Sequence, residues 1–193
     1  MTQVSERWIL PVPAFVDELA AQAGQVADDA AGLRLAIALS QENVVRGGSP
    51  FGGVVATSGG DIVAAGVNCV LATGLSIAHA EIVTLMRMQQ ALQGGVASHL
   101  QNQPLTLYSS TEPCCQCYGA VVWAGVARLV CGATTADAEA IGFDEGPKPE
   151  RWQHELERRG IAVTLGVLRD DARVVLQDYA QRGGPIYGAR PRD

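Results

Sequence analysis

Residues 105–117 read Leu-Thr-Leu-Tyr-Ser-Ser-Thr-Glu-Pro-Cys-Cys-Gln-Cys, and this stretch decides both the fold and the expected chemistry. A strand is predicted near 105–109, and the period then changes to that of a helix near 114–125. Cys114 and Cys117 are three apart, so they share one face of the first helical turn. Free backbone N–H groups and the positive end of the helix dipole stabilise thiolates at that position. The two cysteines therefore have the spacing of metal ligands.

A second patch, His79-Ala80-Glu81, begins another predicted helix near 78–93. His79 and Glu81 are two apart, which is about 200° around a helix. They share a site only if they lie in the first turn and point past the end of the helix. The sequence therefore predicts that a helix starts here, with both side chains at its end.

The remaining predicted elements complete an alternation of strands and helices. A Gly-Gly pair within Ser58–Asp61 suits a tight hairpin, so the two strands that flank it should be antiparallel. The later order of strand, helix, strand, helix and strand implies right-handed parallel crossovers. We therefore predict an α/β fold, a three-layer α/β/α domain around a central mixed five-stranded sheet. The expected helices are 13–24, 29–43, 78–93, 114–125, 149–159 and 169–182, and the expected strands are 51–57, 62–67, 105–109, 128–133 and 161–167.

Length and composition exclude several classes of protein. We expect residues 1–193 to form one domain, with a core of about 28–180 and a C-terminal tail at 182–193. Because 48% of the residues are hydrophobic and 18% are charged, the chain can bury a core and is not of the disordered class. Twenty acidic against 14 basic residues give a net charge of −6, which disfavours a large nucleic-acid footprint.

Cysteine usage and the absence of targeting signals indicate the compartment. The chain has five cysteines, an odd number, and three of them crowd into residues 114–117, which favours a reducing environment. The N-terminus lacks the basic start and unbroken apolar stretch of a signal peptide. No apolar run approaches the roughly 20 residues of a membrane span. We therefore expect a cytoplasmic protein without a membrane partner.

One imidazole and two thiolates, from His79, Cys114 and Cys117, leave the fourth position of a tetrahedral Zn²⁺ ion open to water. That is the pattern of a catalytic site, so we expect one zinc ion per subunit. Glu81 would then carry protons, since this task needs a carboxylate close to the metal but not bound to it. The alternatives are a structural zinc site and a core histidine beside an unrelated redox cysteine pair, and neither explains Glu81. A structural site needs a fourth ligand, for which the other cysteines are the candidates: Cys69, Cys115 and Cys131.

This constellation resembles the zinc-dependent cytidine deaminase-like superfamily, whose signature H-x-E and P-C-x-x-C is present at residues 79–81 and 113–117. The resemblance covers most of residues 30–135, and it includes Pro50-Phe51-Gly52 and Gly66-Val67-Asn68. The unbroken C-x-x-C is similar to the branch that acts on nucleobases and on tRNA adenosine. The resemblance implies a hydrolytic enzyme that removes an exocyclic amine.

Three residues near the signature are candidates for binding the substrate ring. The side chain of Asn68 offers a donor and an acceptor, which suits the amide edge of a base, although an asparagine at a strand end also commonly forms a turn. Phe51 would stack on or wall the base, with a core position as the alternative. In similar deaminases the asparagine contacts the ring, and the residue before the P-C pair offers its carbonyl to the leaving amine. The resemblance therefore assigns these roles to Asn68 and Glu112.

Residues 141–147, Ile-Gly-Phe-Asp-Glu-Gly-Pro, give the best indication of the substrate. They follow the fourth predicted strand, at the carboxyl end of the parallel sheet where α/β sites open. The segment resembles the guanine deaminase branch, which implies that Glu145 first, and Asp144 second, assists proton transfer or binds the purine edge. Guanine presents N1–H and N2–H donors to which a carboxylate can bond. Solvated loop acids are the alternative.

The tail beginning at Arg182 either closes over a site or is a frayed end. In guanine deaminase-like dimers, C-terminal segments lie against a partner subunit, and this resemblance makes Tyr187 the residue of interest. Trp152 and His154 read as ordinary helix residues, although the helix that carries them is also a candidate wall of the pocket.

We therefore predict a zinc-dependent hydrolytic deaminase of a free nucleobase that releases ammonia. Guanine or a guanine-like aminated ring is favoured, and aminotriazine and azacytosine analogues belong to the same class. A cytosine deaminase and a tRNA adenosine deaminase are the alternatives, but the latter needs a basic surface and residues 137–157 are acidic. A non-enzymatic zinc scaffold would have no use for Glu81. Because deaminases of this kind commonly pack helices across a subunit interface, a homodimer is expected.

Overall fold

The computed structural model describes residues 11–93 and 102–188, and its centre is a five-stranded sheet of order β2-β1-β3-β4-β5. β1 pairs antiparallel with both β2 and β3, whereas β3, β4 and β5 run parallel. This confirms the predicted mixed sheet that begins with a hairpin and ends in parallel strands. The strands are β1 (Gly52–Thr57), β2 (Ile62–Val67), β3 (Leu105–Thr111), β4 (Arg128–Ala133) and β5 (Ala162–Thr164).

Helices cover both faces of the sheet and give the predicted three layers. Side chains alternate along the strands, so Tyr108 of β3 packs with α2 and α8 while Leu107 packs with α4, α5 and α7 on the other face. Each face therefore has its own apolar core. The helices are α1 (Phe15–Ala23), α2 (Asp29–Val45), α3 (Val70–Thr73), α4 (Ala80–Leu92), α5 (Cys115–Ala124), α6 (Thr135–Glu139), α7 (Trp152–Glu157) and α8 (Arg169–Gln181).

Helix starts lie where the sequence places them. The Asp28 side chain accepts a hydrogen bond from the Ala31 amide at 2.7 Å and caps α2. His79 and Cys114 have extended backbones and precede α4 and α5 directly. Both side chains therefore lie at helix N-termini, where the amide groups of the first turn have no partner within the helix.

Several element boundaries differ from the prediction. α7 covers Trp152–Glu157 rather than 149–159, since Pro149 and the preceding turn lie outside it and the Pro149 carbonyl accepts the Trp152 amide. β5 is only three residues long because left-handed backbones at Gly166 and Leu168 turn the chain soon after it. α3 and α6 were not predicted, since helices of four and five residues carry no periodic signal.

Residues 183–188, which we call the C-terminal segment, pack back onto the domain. The Tyr179 hydroxyl donates to the Pro185 carbonyl, and the Tyr187 ring meets Phe143 edge to face, with 5.5 Å between ring centroids. The tail is therefore packed as far as residue 188, and residues 189–193 lie outside the described part. Among the described residues, no helix combines the length and apolar character needed to cross a membrane.

Candidate active site

His79, Cys114 and Cys117, which we call the metal cluster, converge at the starts of α4 and α5. The Nδ1 atom of His79 lies 3.4 Å from the sulfur of Cys114 and 3.6 Å from that of Cys117. A tetrahedral zinc ion with ordinary bond lengths holds a nitrogen and a sulfur ligand about 3.6 Å apart. The donor set and its spacing therefore fit Zn²⁺.

Electrostatics within the metal cluster favour a thiolate. A hydrogen bond from Cys117 lowers the pKa of Cys114 to about 4 against the opposing effect of burial, and a hydrogen bond with His79 assists. Burial acts to lower the pKa of His79, but the hydrogen bond and charge of Cys114 outweigh it and raise that pKa. Hydrogen bonding with Cys114, burial and the charge of Glu81 raise the pKa of Cys117. Cys114 is therefore the group of the metal cluster that is most readily held as a thiolate.

Glu81 lies in the first turn of α4, as predicted, with 6% of its surface exposed. The Cys117 thiol donates to Glu81 Oε2 over 3.3 Å, so the carboxyl group touches the metal cluster without belonging to it. Burial and the nearby charge of Cys114 raise the pKa of Glu81. A buried carboxyl group of raised pKa beside a metal site is suited to accept and release a proton.

The other cysteines do not complete a four-ligand site. Within residues 11–93 and 102–188, the group that could hold a metal ion has three members, the metal cluster itself. Cys115 lies against Gly146, Cys69 is directed to the Val67 carbonyl, and Cys131 is buried in the core on the α5 side. This arrangement disfavours a structural zinc site and leaves one coordination position for a water molecule or substrate.

One cavity of about 1190 Å³ collects nearly all the predicted site residues. Its volume slightly exceeds the roughly 300–1,000 Å³ that small-molecule sites usually occupy. Cys117 is the exception, since it is fully buried beneath the cavity. The predicted residues in its wall are Phe51, Asn68, His79, Glu81, Glu112, Cys114, Asp144, Glu145 and Tyr187.

Glu145 and Asp144 have different environments in the cavity wall. Glu145 is 5% exposed, and its Oε2 atom is buried without a hydrogen-bond partner. Burial and the charges of Cys114 and Glu81 raise the pKa of Glu145 to about 8, although Lys148 opposes them. Asp144 is exposed, and its side chain accepts from the Gly146 amide at 2.9 Å. The two acids therefore differ in burial, and the ranking of Glu145 before Asp144 stays a prediction.

Aromatic rings form the apolar part of the wall, and Phe143 is the ring that sequence reasoning missed. Phe143 meets Phe51 edge to face at 5.0 Å between centroids, and it contacts Tyr179 and Tyr187 as well. Phe51 is thus both part of the core and part of the cavity. The sequence feature that identifies Phe143 is its place between Ile141 and Asp144, within residues 141–147, the segment that resembles the guanine deaminase branch.

Asn68 and Glu112 line the cavity but also have structural partners. The Asn68 side-chain oxygen accepts from the Val70 amide at 3.0 Å, the turn-forming role expected as its alternative. The Glu112 carboxylate accepts from the amide and hydroxyl of Thr135, at 3.0 and 2.9 Å. Trp152 packs in the core on the α5 side, and neither it nor His154 belongs to the cavity wall.

Solved structures resemble this chain over nearly its whole length. A guanine deaminase from Nitrosomonas europaea is 38% identical, with a TM-score of 0.83 over 93% of this chain and 99% of that chain. A mutant of a protein named NE0047, solved in complex with 8-azaguanine, is also 38% identical, with a TM-score of 0.84 and the same coverage. The observed sheet and helices thus recur in proteins that handle guanine-like rings.

Curated relatives and a family profile agree on the broader group. The tRNA-specific adenosine deaminase of Haemophilus influenzae is 32% identical over 158 residues, 78% of this chain and 82% of that protein. Residues 26–133, more than half of the chain, match the family described as the cytidine and deoxycytidylate deaminase zinc-binding region. Together with the three zinc-type ligands and the buried Glu81, this match shows that the chain belongs to the zinc-dependent cytidine and deoxycytidylate deaminase family.

Proposed function

We propose that this protein is a hydrolytic deaminase of a free nucleobase, with guanine or a closely similar aminated ring as its substrate. The observation that carries the proposal is Glu145, whose buried and unpaired Oε2 atom lines the cavity that contains His79 and Glu81. Leaving a buried carboxylate oxygen without a partner is costly unless a ligand satisfies it. Guanine supplies the needed donors, N1–H and N2–H, on one edge.

The reaction replaces the exocyclic amine of the ring by an oxygen atom from water and releases ammonia. A zinc ion held by the metal cluster supplies a Lewis acid that makes water reactive near neutral pH. Glu81 accepts a proton from the attacking water and delivers it to a ring nitrogen; it then takes the remaining proton of the added hydroxyl group and delivers it to the amine, which leaves as ammonia. Each transfer uses a carboxyl group that is buried yet touches the metal cluster.

Glu145 and the aromatic rings orient the base. The Glu145 carboxyl group accepts from the purine edge, and its pKa of about 8 lets it gain or lose a proton near neutral pH. Phe51, Phe143 and Tyr187 enclose the apolar faces of the ring and keep bulk water away. Asn68 and the backbone carbonyl of Glu112 are proposed to contact the ring and the leaving amine. Asp144, being exposed, is assigned a role at the cavity mouth.

A tRNA adenosine deaminase is the second candidate, because a curated relative of this activity is 32% identical. An RNA loop needs basic residues at the cavity, whereas the charged side chains in its wall, apart from His79, are acidic: Glu81, Glu112, Glu139, Asp144 and Glu145. The net charge of −6 also disfavours an RNA substrate. We therefore propose a small-molecule substrate rather than a nucleic acid, in a cytoplasmic setting.

We also propose a homodimer formed through α5. The Trp123 side chain on this helix is 85% exposed, and Ile77, directly before the metal cluster, is 56% exposed. A tryptophan at this exposure is unusual for a free surface and typical of a subunit contact.

The experiment that tests the function is ammonia release by zinc-loaded protein, with chelator-treated protein as control. The panel comprises guanine, isoguanine, adenine, cytosine, 5-azacytosine, aminotriazines, the corresponding nucleosides and a tRNA anticodon stem-loop. We expect the largest kcat/KM with guanine or a guanine-like ring. Turnover of nucleosides or RNA alone would overturn the proposed substrate class, and turnover of cytosine alone would favour the cytosine deaminase alternative.

A further inference from the structure

Lys148 is the only lysine in the sequence, and it lies three residues after Glu145. Its ammonium group donates to the Pro113 carbonyl and to the Thr135 hydroxyl, both at 2.6 Å. It also lies 5.1 Å from the centre of the Trp152 ring, within the range of a cation–π contact. One half-buried cation thus joins the loop that follows Glu145 to three other parts of the chain.

These contacts attach residues 141–148, which we call the Glu145 loop, to the chain on both sides of the metal ligand Cys114. The Glu145 carbonyl accepts from the Cys115 amide at 2.8 Å, and the Lys148 ammonium reaches the Pro113 carbonyl. Pro113 and Cys115 are the two neighbours of Cys114 in the chain. The backbone bond and the lysine therefore both help to fix the position of Glu145 relative to the metal cluster.

The Glu145 side chain depends on this support because one of its two carboxyl oxygens has no hydrogen bond to orient it. Its Oε2 atom has no partner in the described structure, so the loop backbone must direct the carboxyl group into the cavity. Lys148 also reaches Glu112 through a relay, since Thr135 Oγ1 accepts from Lys148 and donates to the Glu112 carboxylate. An ammonium bound to a carbonyl makes a charge-assisted bond, stronger than a neutral one.

We propose that Lys148 is a positioning residue, which sets the distance between Glu145 and the metal cluster and thereby the rate of deamination. The inference rests on the proposed function, in which Glu145 acts on the purine edge. Lys148 is not part of the cavity wall, and its ammonium group holds the loop through the Pro113 carbonyl while its charge also opposes the rise in the pKa of Glu145.

Lys148→Met keeps the aliphatic stem over Trp152 and removes the ammonium group, and Arg158→Met is the matched control. Arg158 is an exposed cation directly after α7, and its side chain pairs with Glu155. We expect Lys148→Met to bind zinc normally and to lose kcat by about 10- to 100-fold, since misplacement by about 1 Å has effects of this size. Arg158→Met should keep wild-type turnover. Wild-type turnover in zinc-loaded Lys148→Met would overturn the proposal.

A double-mutant cycle shows whether the effect passes through Glu145. In a Glu145→Gln background, Lys148→Met should change kcat by less than about twofold, because the group that it positions is already disabled. A full loss in that background would mean that Lys148 acts elsewhere, and would overturn the proposal. Should Lys148→Met fail to fold, Thr135→Val decides the question, since it removes one acceptor of Lys148. It should lower kcat in the same direction and lose that effect with Glu145→Gln.

Hydrogen exchange provides a readout that needs no substrate. Peptides covering 113–117 and 141–148 should exchange faster in Lys148→Met than in the wild type or Arg158→Met, because a contact that holds the loop to residues 113–115 has been lost. Unchanged exchange in both peptides would overturn the proposal. Failure of the proposed function is distinguishable, since the wild type would then release no ammonia from any base while the exchange difference persisted.

Discussion

The metal cluster and the Glu145 loop form parts of the same cavity but are built in different ways. The metal cluster uses the first turns of two helices, so short-range backbone geometry places its side chains. The Glu145 loop (residues 141–148) has no regular structure beyond the turn at its start, and its position depends on contacts with residues distant in sequence. In the proposed function, chemistry common to deaminases thus lies on regular elements, whereas the contacts that select the substrate lie on a loop and a tail.

The largest effect on turnover should come from changing Glu81, which contacts the metal cluster and lines the same cavity as Glu145. Glu81→Gln preserves the shape of the side chain but removes its ability to carry a proton. We expect turnover to fall by about 1,000-fold, within the range for a lost general acid–base group. Zinc content should remain at one per chain, because Glu81 is not a member of the metal cluster. Ammonia release and metal analysis on the same sample provide the check, and unchanged turnover would favour a non-enzymatic scaffold.

The next largest effect on turnover should come from Gly146→Ala, which should disturb the Glu145 loop and leave the metal cluster intact. Gly146 has a φ of +66°, which an alanine adopts at a cost of about 1 kcal/mol, and an added Cβ would meet the Cys115 sulfur. We expect displacement of the adjacent Glu145, a fall in kcat of about 10- to 100-fold, and normal zinc content.

Gly160→Ala is the matched control for this substitution. Gly160 has a φ of +79°, and an added Cβ would have no neighbour within 4 Å. Gly146→Ala should lose at least as much stability in urea unfolding as Gly160→Ala, because it adds the contact with Cys115 to the same backbone strain, but only Gly146→Ala should lose turnover. Equal turnover in the two variants would mean that the loop geometry is not critical.

The contribution of the C-terminal segment should be smaller and should affect substrate binding. Tyr187 packs on Phe143, and burial raises the pKa of its hydroxyl while Ser49 and Asn68 oppose this effect. We expect Tyr187→Ala to raise the KM for guanine by about tenfold, because an aromatic wall of the cavity is lost. Tyr187→Phe keeps the ring and should stay within about threefold of the wild type. Steady-state kinetics on both variants check this, and equal KM values would mean that the segment does not cover the substrate.

The contrast between the metal cluster on two helix starts and the Glu145 loop also explains which features the sequence could predict. The helix start at His79 follows from local spacing, because residues two apart are separated by about 200° around a helix and share a site only at its end; the C-x-x-C at Cys114 has the spacing of one face of a first helical turn. The role of Phe143 as a hub of ring contacts depends on Phe51 and Tyr187, which are far away in sequence. Likewise, no local pattern indicates that Lys148 reaches Pro113. Periodicity predicts elements, whereas loop and tail positions depend on tertiary contacts.

The last comparison concerns the two exposed apolar side chains Trp123 on α5 and Val174 on α8, which are 85% and 60% exposed. If α5 forms the subunit contact, Trp123→Glu should weaken the dimer by about 2 kcal/mol or more, a factor of about 30 in the dissociation constant. Val174→Glu adds the same charge on a different helix and should leave the dimer intact. Size-exclusion chromatography with light scattering measures the dimer in both variants.

Turnover should change least of all in these two variants, by less than about twofold, since the described chain supplies the metal cluster, the Glu145 loop and the C-terminal segment of its own cavity. A strictly monomeric wild type would refute the dimer, and a dimeric Trp123→Glu would place the contact on another face.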